Sequence, residues 1–200
     1  MKIIQINAVY GFGSTGIIVR DLQDICYHNG IECIVAYSQS QDTVKNGYQL
    51  GNFISNKIHA LLSRISGKQG YFSILSTRKF LKYLDQYHPD IIHLHNLHGC
   101  YINVPMLLKY ASGNGISVVV SLHDCWFYTG GCSHYTSAGC SKWLKNCGSC
   151  PKRYEETPAY LWDSSSEILK DRKLLFSKIS DLVVVGVSKW IVEEANKTVF

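Results

Sequence analysis

The chain has 200 residues, 46% of them hydrophobic, with 20 Lys or Arg against 15 Asp or Glu and a formal charge of +5. That apolar content supports one sizeable core, and one domain over residues 1–200 is the simplest organisation. The positive charges are scattered, which gives no footprint for nucleic acid, and no apolar run approaches the roughly 20 residues of a membrane-spanning helix.

Met1 to Asn7 carries one charge and a brief apolar run, too short for the core of a signal peptide, so a cytoplasmic location is expected. Ile3 to Asn7 reads as a buried strand. It is followed by the glycine-rich stretch Gly11 to Gly16 and a helical pattern through Ile17, Ile18, Leu22 and Ile25. Glu32 to Ala36 predicts a second strand. After a polar, irregular stretch come helical segments near Asn56 to Ile65 and Ser76 to His88, the second stopped by Pro89. Asp90 to His95 predicts a strand, Asn103 to Ala111 a short helix with Pro105 in its first turn, and Ser117 to Leu122 another strand. A cysteine-rich loop insertion, residues 125–151, precedes a helix from about Ser166 to Ile179, the apolar strand Leu182 to Val187 and a last helix capped by Ser188. Strands that alternate with helices and read as continuous apolar runs predict an α/β fold: a Rossmann-like parallel sheet with helices on both faces.

Such sheets bind ligands beyond the carboxyl ends of their strands. Three polar segments fall there. Gly11-Phe12-Gly13-Ser14-Thr15-Gly16 fits G-x-G-x-x-G between strand and helix, so Gly13, Ser14, Thr15 and Gly16 are candidates to cradle a diphosphate. A tight turn is the alternative use of those glycines. The second strand ends Ala36-Tyr37-Ser38 without the acidic residue that a nicotinamide dinucleotide's ribose wants, which weakens an oxidoreductase. His95, Asn96 and His98 follow the third predicted strand and suit sugar hydroxyls, or else stitch the loop together. His93, in mid-strand, reads as a core histidine. His123 and Asp124 end the next strand as a titratable pair whose side chains point to opposite sides. One is expected to act while the other holds the loop, with His123 facing the ligand.

Cys147-Gly148-Ser149-Cys150 is a C-x-x-C knuckle. With Cys132 and Cys140 it predicts a structural four-cysteine zinc site, with Cys125 and His134 as substitute ligands. Unligated or disulfide-linked thiols are the alternative. Cys26, Cys33 and Cys100 read as small core residues. Arg78-Lys79-Phe80-Leu81-Lys82 offers a basic helix face that is either solvated or set against an anionic membrane.

Taken together, Tyr10 to Gly16, Pro89 to Asn96, Leu122 to Trp126, the cysteine segment through Pro151, and Val187-Ser188-Lys189-Trp190 resemble the N-terminal half of a bacterial family 4 glycosyltransferase. The type is the group 1 enzyme of capsule and exopolysaccharide synthesis. The resemblance implies a GT-B architecture in which this half binds a glycan or lipid-linked acceptor. A C-terminal domain with a Glu-x7-Glu motif would bind a nucleotide-sugar donor. It also implies retention of anomeric configuration, no catalytic metal, peripheral contact with the inner membrane, Gly13 to Gly16 near the donor diphosphate, and His123 beside the transferred sugar. Half a cleft is expected to be inactive alone. The rival reading is a stand-alone, zinc-stiffened module that binds a sugar or nucleotide without catalysis.

Overall fold

The computed structural model describes residues 1–41, 43–155 and 158–200. Six parallel strands form one sheet: β1 (Lys2–Tyr10), β2 (Glu32–Ser40), β3 (Gly47–Gln49), β4 (Ile91–Leu94), β5 (Ser117–Leu122) and β6 (Leu182–Gly186). Their spatial order is β3-β2-β1-β4-β5-β6. The chain starts in the middle, winds outward through β2 and β3, then crosses back to β4, so β1 and β4 flank the point where the winding reverses.

Register explains the apolar runs. Ile4 lies between Ile34 and Ile92, Ile92 pairs with Val118, and Val120 pairs with Val184. Ile4, Ile6, Ile92, Leu94, Val120 and Leu122 are wholly buried. Each such side chain contributes about 1.5–3 kcal/mol by leaving water. The rim strand β6 is covered less completely than the sequence leads one to expect, since Val183 and Val185 are each 50% exposed.

The helices are α1 (Gly13–His28), α2 (Phe53–Ser66), α3 (Ile74–Tyr87), α4 (Val104–Gly113), α5 (Ser165–Phe176) and α6 (Lys189–Ala195). Local chemistry sets their ends. Asn52 and Ser55 form a reciprocal capping box for α2, Asn103 accepts from the Met106 amide at the start of α4, and Ser188 accepts from the Ile191 amide at α6. Gly67 ends α2 in the left-handed conformation that glycine adopts without strain.

Two elements depart from the sequence reading. β3 forms within the stretch read as irregular, because Gly47-Tyr48-Gln49 has no apolar run and becomes a strand only by pairing with Val35–Tyr37. Helix α1 begins at Gly13, four residues earlier than its apolar pattern, so the second half of the glycine motif is its first turn.

Candidate functional site

The loops after β1, β4 and β5 emerge side by side around the reversal point, as the topology requires. Gly11 and Gly13 carry φ of +76° and +62°, which the turn from β1 into α1 demands. Phe12 is the N-cap and provides no side-chain cap, so the first-turn amides of α1 are left for solvent or an anion. Gly13 and Ser14 are exposed. Gly16 differs from its expected role as a diphosphate contact. It is buried, its carbonyl accepts from the Gly11 amide at 3.0 Å, and a Cβ there would sit 3.0 Å from Val9 Cγ2. Its role is close packing of helix against strand. Thr15 is half-buried, and its hydroxyl accepts a 3.3 Å bond from Asn7 Nδ2.

Asn7 joins the glycine loop to the next one. Its Nδ2 donates to the Val9 carbonyl (2.8 Å), while its Oδ1 accepts from the Asn96 amide (3.0 Å). Asn96 then turns its own chain: its Oδ1 accepts from the His98 amide at 3.2 Å and its carbonyl from the Tyr101 hydroxyl at 2.8 Å. Of the two uses open to this segment, Asn96 visibly makes the loop-stitching one. Asn7, wholly buried inside β1, is a site residue that the sequence reading misses; a polar residue closing the apolar run Ile3 to Ile6 is its only signal.

His95 does not face a ligand, contrary to expectation. It is 1% exposed, and both ring nitrogens are engaged, with Gln5 Oε1 at 3.1 Å from Nε2 and His123 Nε2 at 3.1 Å from Nδ1. These contacts set the proton positions. Gln5 Nε2 donates to the Val19 carbonyl (3.2 Å) and to Cys33 Sγ (3.4 Å), and the Val19 carbonyl can only accept. The Gln5 oxygen therefore turns to His95, whose Nε2 must carry its proton. Burial, and to a lesser degree the neighbouring His93 and His123, push the His95 imidazole down to about 2, so it is neutral and its Nδ1 is a bare acceptor. His123 then donates from Nε2. Its own pKa is lowered, chiefly by burial and against an opposing pull from Asp124, so neutral His123 keeps an unprotonated Nδ1. A half-buried imidazole with that nitrogen unprotonated can accept from a hydroxyl at the end of β5.

Asp124 takes the structural half of the pair. Its Oδ1 accepts from the Trp126 amide at 2.8 Å and its Oδ2 meets His98 Nε2 at 2.9 Å. Burial alone would raise this carboxyl, but the hydrogen bond and charge of His98 and the Trp126 amide outweigh it and hold it below the usual value. Asp124 thereby clasps the turns after β4 and β5. Gln69 extends the clasp, donating to the His98 carbonyl and accepting from Trp126 Nε1 at 3.0 Å.

Three neutral histidines lie inside the fold. Burial lowers His59 and His93 to about 4, with His123 adding to the effect on His93, and His95 lies lower still. The unfolded chain protonates its histidines near pH 6.5, so between that pH and about 4 it binds more protons than the folded chain. Stability is accordingly greatest above pH 6.5 and lost on acidification. Each histidine contributes up to about 1.4 kcal/mol per pH unit. Urea midpoints measured at pH 7, 6 and 5 should fall progressively; a flat series would contradict neutral burial of these rings.

The cysteine segment corrects a second expectation. Cys132, Cys140, Cys147 and Cys150 line one cavity of about 60 Å3. Yet among the described residues no three His, Cys, Asp or Glu side chains group so as to hold a metal ion, so the expected four-cysteine zinc site finds no support. None of the eight cysteines is in a disulfide. Burial, above all, raises the Cys147 and Cys150 thiols, with neighbouring cysteines adding to the rise. Aromatic packing and side chains that bond the backbone hold the segment instead. Trp143 packs edge-on against Tyr128 (5.3 Å) and at a tilt against Tyr135 (4.8 Å), and Thr129 Oγ1 accepts from the Gly131 and Cys132 amides. Asp163 Oδ2 accepts from the Cys150 amide at 2.7 Å. Cys26 and Cys33, read as isolated, are neighbours whose side chains hydrogen-bond.

No curated protein matches the chain. Among solved structures it is similar to the crystal structure of SsfS6, a glycosyltransferase of Streptomyces sp. SF2575, with 16% identity and a TM-score of 0.35. The similarity covers 62% of this chain and 40% of that one, so the chain spans well under half of that protein's length. The model of Glycosyltransferase Family 4 matches residues 19–194, a span that starts after the glycine loop and takes in His95, His98, His123 and Asp124. With that match running across five of the six strands, β2 to β6, and both histidine turns, the chain belongs to glycosyltransferase family 4.

Proposed function

We propose that residues 1–200 are the acceptor-binding half of a retaining, GT-B-type glycosyltransferase that moves a sugar from a nucleotide-sugar donor to a glycan or lipid-linked acceptor in polysaccharide synthesis. One observation carries this reading. The first turn of α1, the 95–98 turn and His123 share the rim at the reversal point, wired to one another through Asn7, His95 and Asp124. Uncapped amides at a helix start suit a departing diphosphate, and an unprotonated imidazole nitrogen suits a sugar hydroxyl. In this reading Gly13, Ser14 and Thr15 approach the diphosphate, while His123 orients a hydroxyl at the reacting end, with His98 beside it. A second domain of the same protein supplies the nucleotide site.

The test is a panel of nucleotide-sugar donors offered to the full-length protein with lipid-linked and free glycan acceptors. Acceptor-dependent release of nucleoside diphosphate is expected, with a product that keeps the donor's anomeric configuration by NMR. Residues 1–200 alone should not turn over. Release without acceptor, inversion, or turnover by the fragment would each overturn the corresponding part of the reading.

A further inference from the structure

Four thiols of the segment after Asp124 line one cavity, and each is half-buried rather than sealed. Two of them, Cys147 and Cys150, stand three residues apart on a knuckle whose shape the structure fixes. Gly148 and Ser149 between them take φ of +134° and +45°, so the chain folds back within two residues. Ser149 is no glycine and needs support in that conformation. Lys142 supplies it, donating from Nζ to the Gly148 carbonyl at 3.1 Å and to the Ser149 carbonyl at 2.8 Å. The two cysteines are fixed from either side. The Cys150 amide donates to Asp163 Oδ2 at 2.7 Å, and the Gly130 amide is hydrogen-bonded to the Cys147 sulfur. Of the cysteines around it, Cys147 feels Cys150 most strongly and Cys140 next.

Two polar groups of the same cavity lining are buried without a hydrogen-bond partner among the described residues. They are Ser165 Oγ, on a side chain 8% exposed, and Trp143 Nε1, on one 2% exposed. The indole nitrogen can only donate, and the hydroxyl is able to. A buried donor left unmet carries a desolvation penalty, so such a pair calls for an acceptor that is present in some other chemical state of the site. Negatively charged sulfur is that acceptor. Thiol–disulfide exchange passes charge through each sulfur in turn, because a thiolate attacks and a thiolate leaves. A disulfide also needs only two sulfurs to meet, so the lack of three grouped ligands does not bear on it.

We propose that Cys147 and Cys150 form a reversible dithiol–disulfide couple that exchanges with low-molecular-weight disulfides of the glutathione type. One thiolate of the pair attacks a sulfur of the small disulfide, whose S–S bond breaks as one small thiolate leaves. The second thiolate then attacks the protein sulfur of this mixed disulfide. The Cys147–Cys150 bond forms and the second small thiolate leaves. The two cysteines thereby lose two electrons and two protons, the electrons reducing the small disulfide and the protons ending on its two thiols. Through the Gly130 amide the couple adjoins Thr129, whose carbonyl Arg172 holds, so it abuts the turn that follows His123 and Asp124. It stands apart from the acceptor reading, since thiols are counted without donor or acceptor.

The sequence makes the test direct. Trypsin cuts after Lys145 and Lys152, so the peptide 146–152 carries Cys147 and Cys150 and no other cysteine, while Cys125, Cys132 and Cys140 fall together in the peptide 110–142. The full-length protein is equilibrated with mixtures of reduced and oxidised glutathione, quenched with acid, alkylated, digested and analysed by mass spectrometry. As the share of glutathione disulfide rises, the peptide 146–152 should lose both alkyl groups and appear two hydrogens lighter than its reduced form, and dithiothreitol should reverse the change. Cys147→Ser stops the exchange halfway. Its circular dichroism and Tm should match the parent, and Cys150 should carry one glutathione. The proposal is overturned if the parent peptide stays doubly alkylated at every ratio, or if Cys150 of the folded variant takes up no glutathione. It is equally overturned if the peptide is recovered only cross-linked to 110–142, which assigns the bond to another pair. A bridge that forms only in urea would overturn it too, because the fold would then not bring the two sulfurs together.

Discussion

Replacing His123 with alanine is expected to slow sugar transfer by about 10²–10³-fold, some 3–4 kcal/mol of transition-state stabilisation, with little change in Tm. The reason is the fixed direction of its protons. Val19's carbonyl turns the Gln5 amide, Gln5 sets the proton of His95 on Nε2, and His95 then requires His123 to donate from Nε2 and keep Nδ1 unprotonated. Two near-isosteres separate this from a merely spatial role. In His123→Asn the amide oxygen stands near the place of Nδ1, so the acceptor survives and part of the rate should return. In His123→Gln the amide can still donate to His95 but offers no acceptor at the Nδ1 position, and the rate should stay low. Gln5→Leu removes the anchor at the far end of the wire. It should lower kcat more than it raises KM, and long-range nitrogen-proton NMR of the ring nitrogens should show His123 no longer held in one tautomer. A parent spectrum with the His123 proton on Nδ1 would sink the account.

Arg172→Leu is expected to cost about 3–5 kcal/mol of folding stability. Arg172 is 4% exposed on α5, and its guanidinium lies 3.7 Å from the centre of the Trp126 ring. Its Nη1 donates to the Trp126 carbonyl and, at 2.6 Å, to that of Thr129. Burial lowers it to about 10, still charged at neutral pH. A leucine would leave two buried carbonyls without a donor and remove the stacked cation from the turn that follows His123 and Asp124. Lysine keeps the charge but not the planar fork, so Arg172→Lys should recover only part of the loss. Urea unfolding with an unchanged slope reads both, and a cost under about 1 kcal/mol for the leucine variant would refute the assignment. The same contacts order the cysteine segment. Its start is clamped by Arg172 and Thr129, and its end by Asp163.

Much of this was open to reading along the chain. Apolar runs at Ile3 to Asn7, Asp90 to His95 and Ser117 to Leu122 became central parallel strands, because a strand buried on both faces has no polar period to hide. Pro89, Pro105 and Ser188 stand at helix boundaries for reasons confined to one or two residues. The family was legible in the histidine turns because these short motifs sit at strand ends, where an α/β fold gathers its chemistry.

What escaped the sequence depends on partners far away in the chain. His95 looked available for a ligand because its burial is imposed by Gln5, 90 residues earlier, and His123, 28 residues later. The 3.6-residue period of α2 reveals an apolar stripe, but not the side to which it points; His59, caught between Ser73 and Gly70, decides that. Cys132 to Cys150 has a spacing that permits metal ligation, yet spacing constrains only how closely thiols can approach and does not bring three of them together as ligands. The sequence by itself determined the apolar strands, the helix boundaries at Pro89, Pro105 and Ser188, and the family. Only the tertiary structure decided which polar side chains face one another, because a hydrogen bond across the sheet is a property of two distant residues and is written in neither.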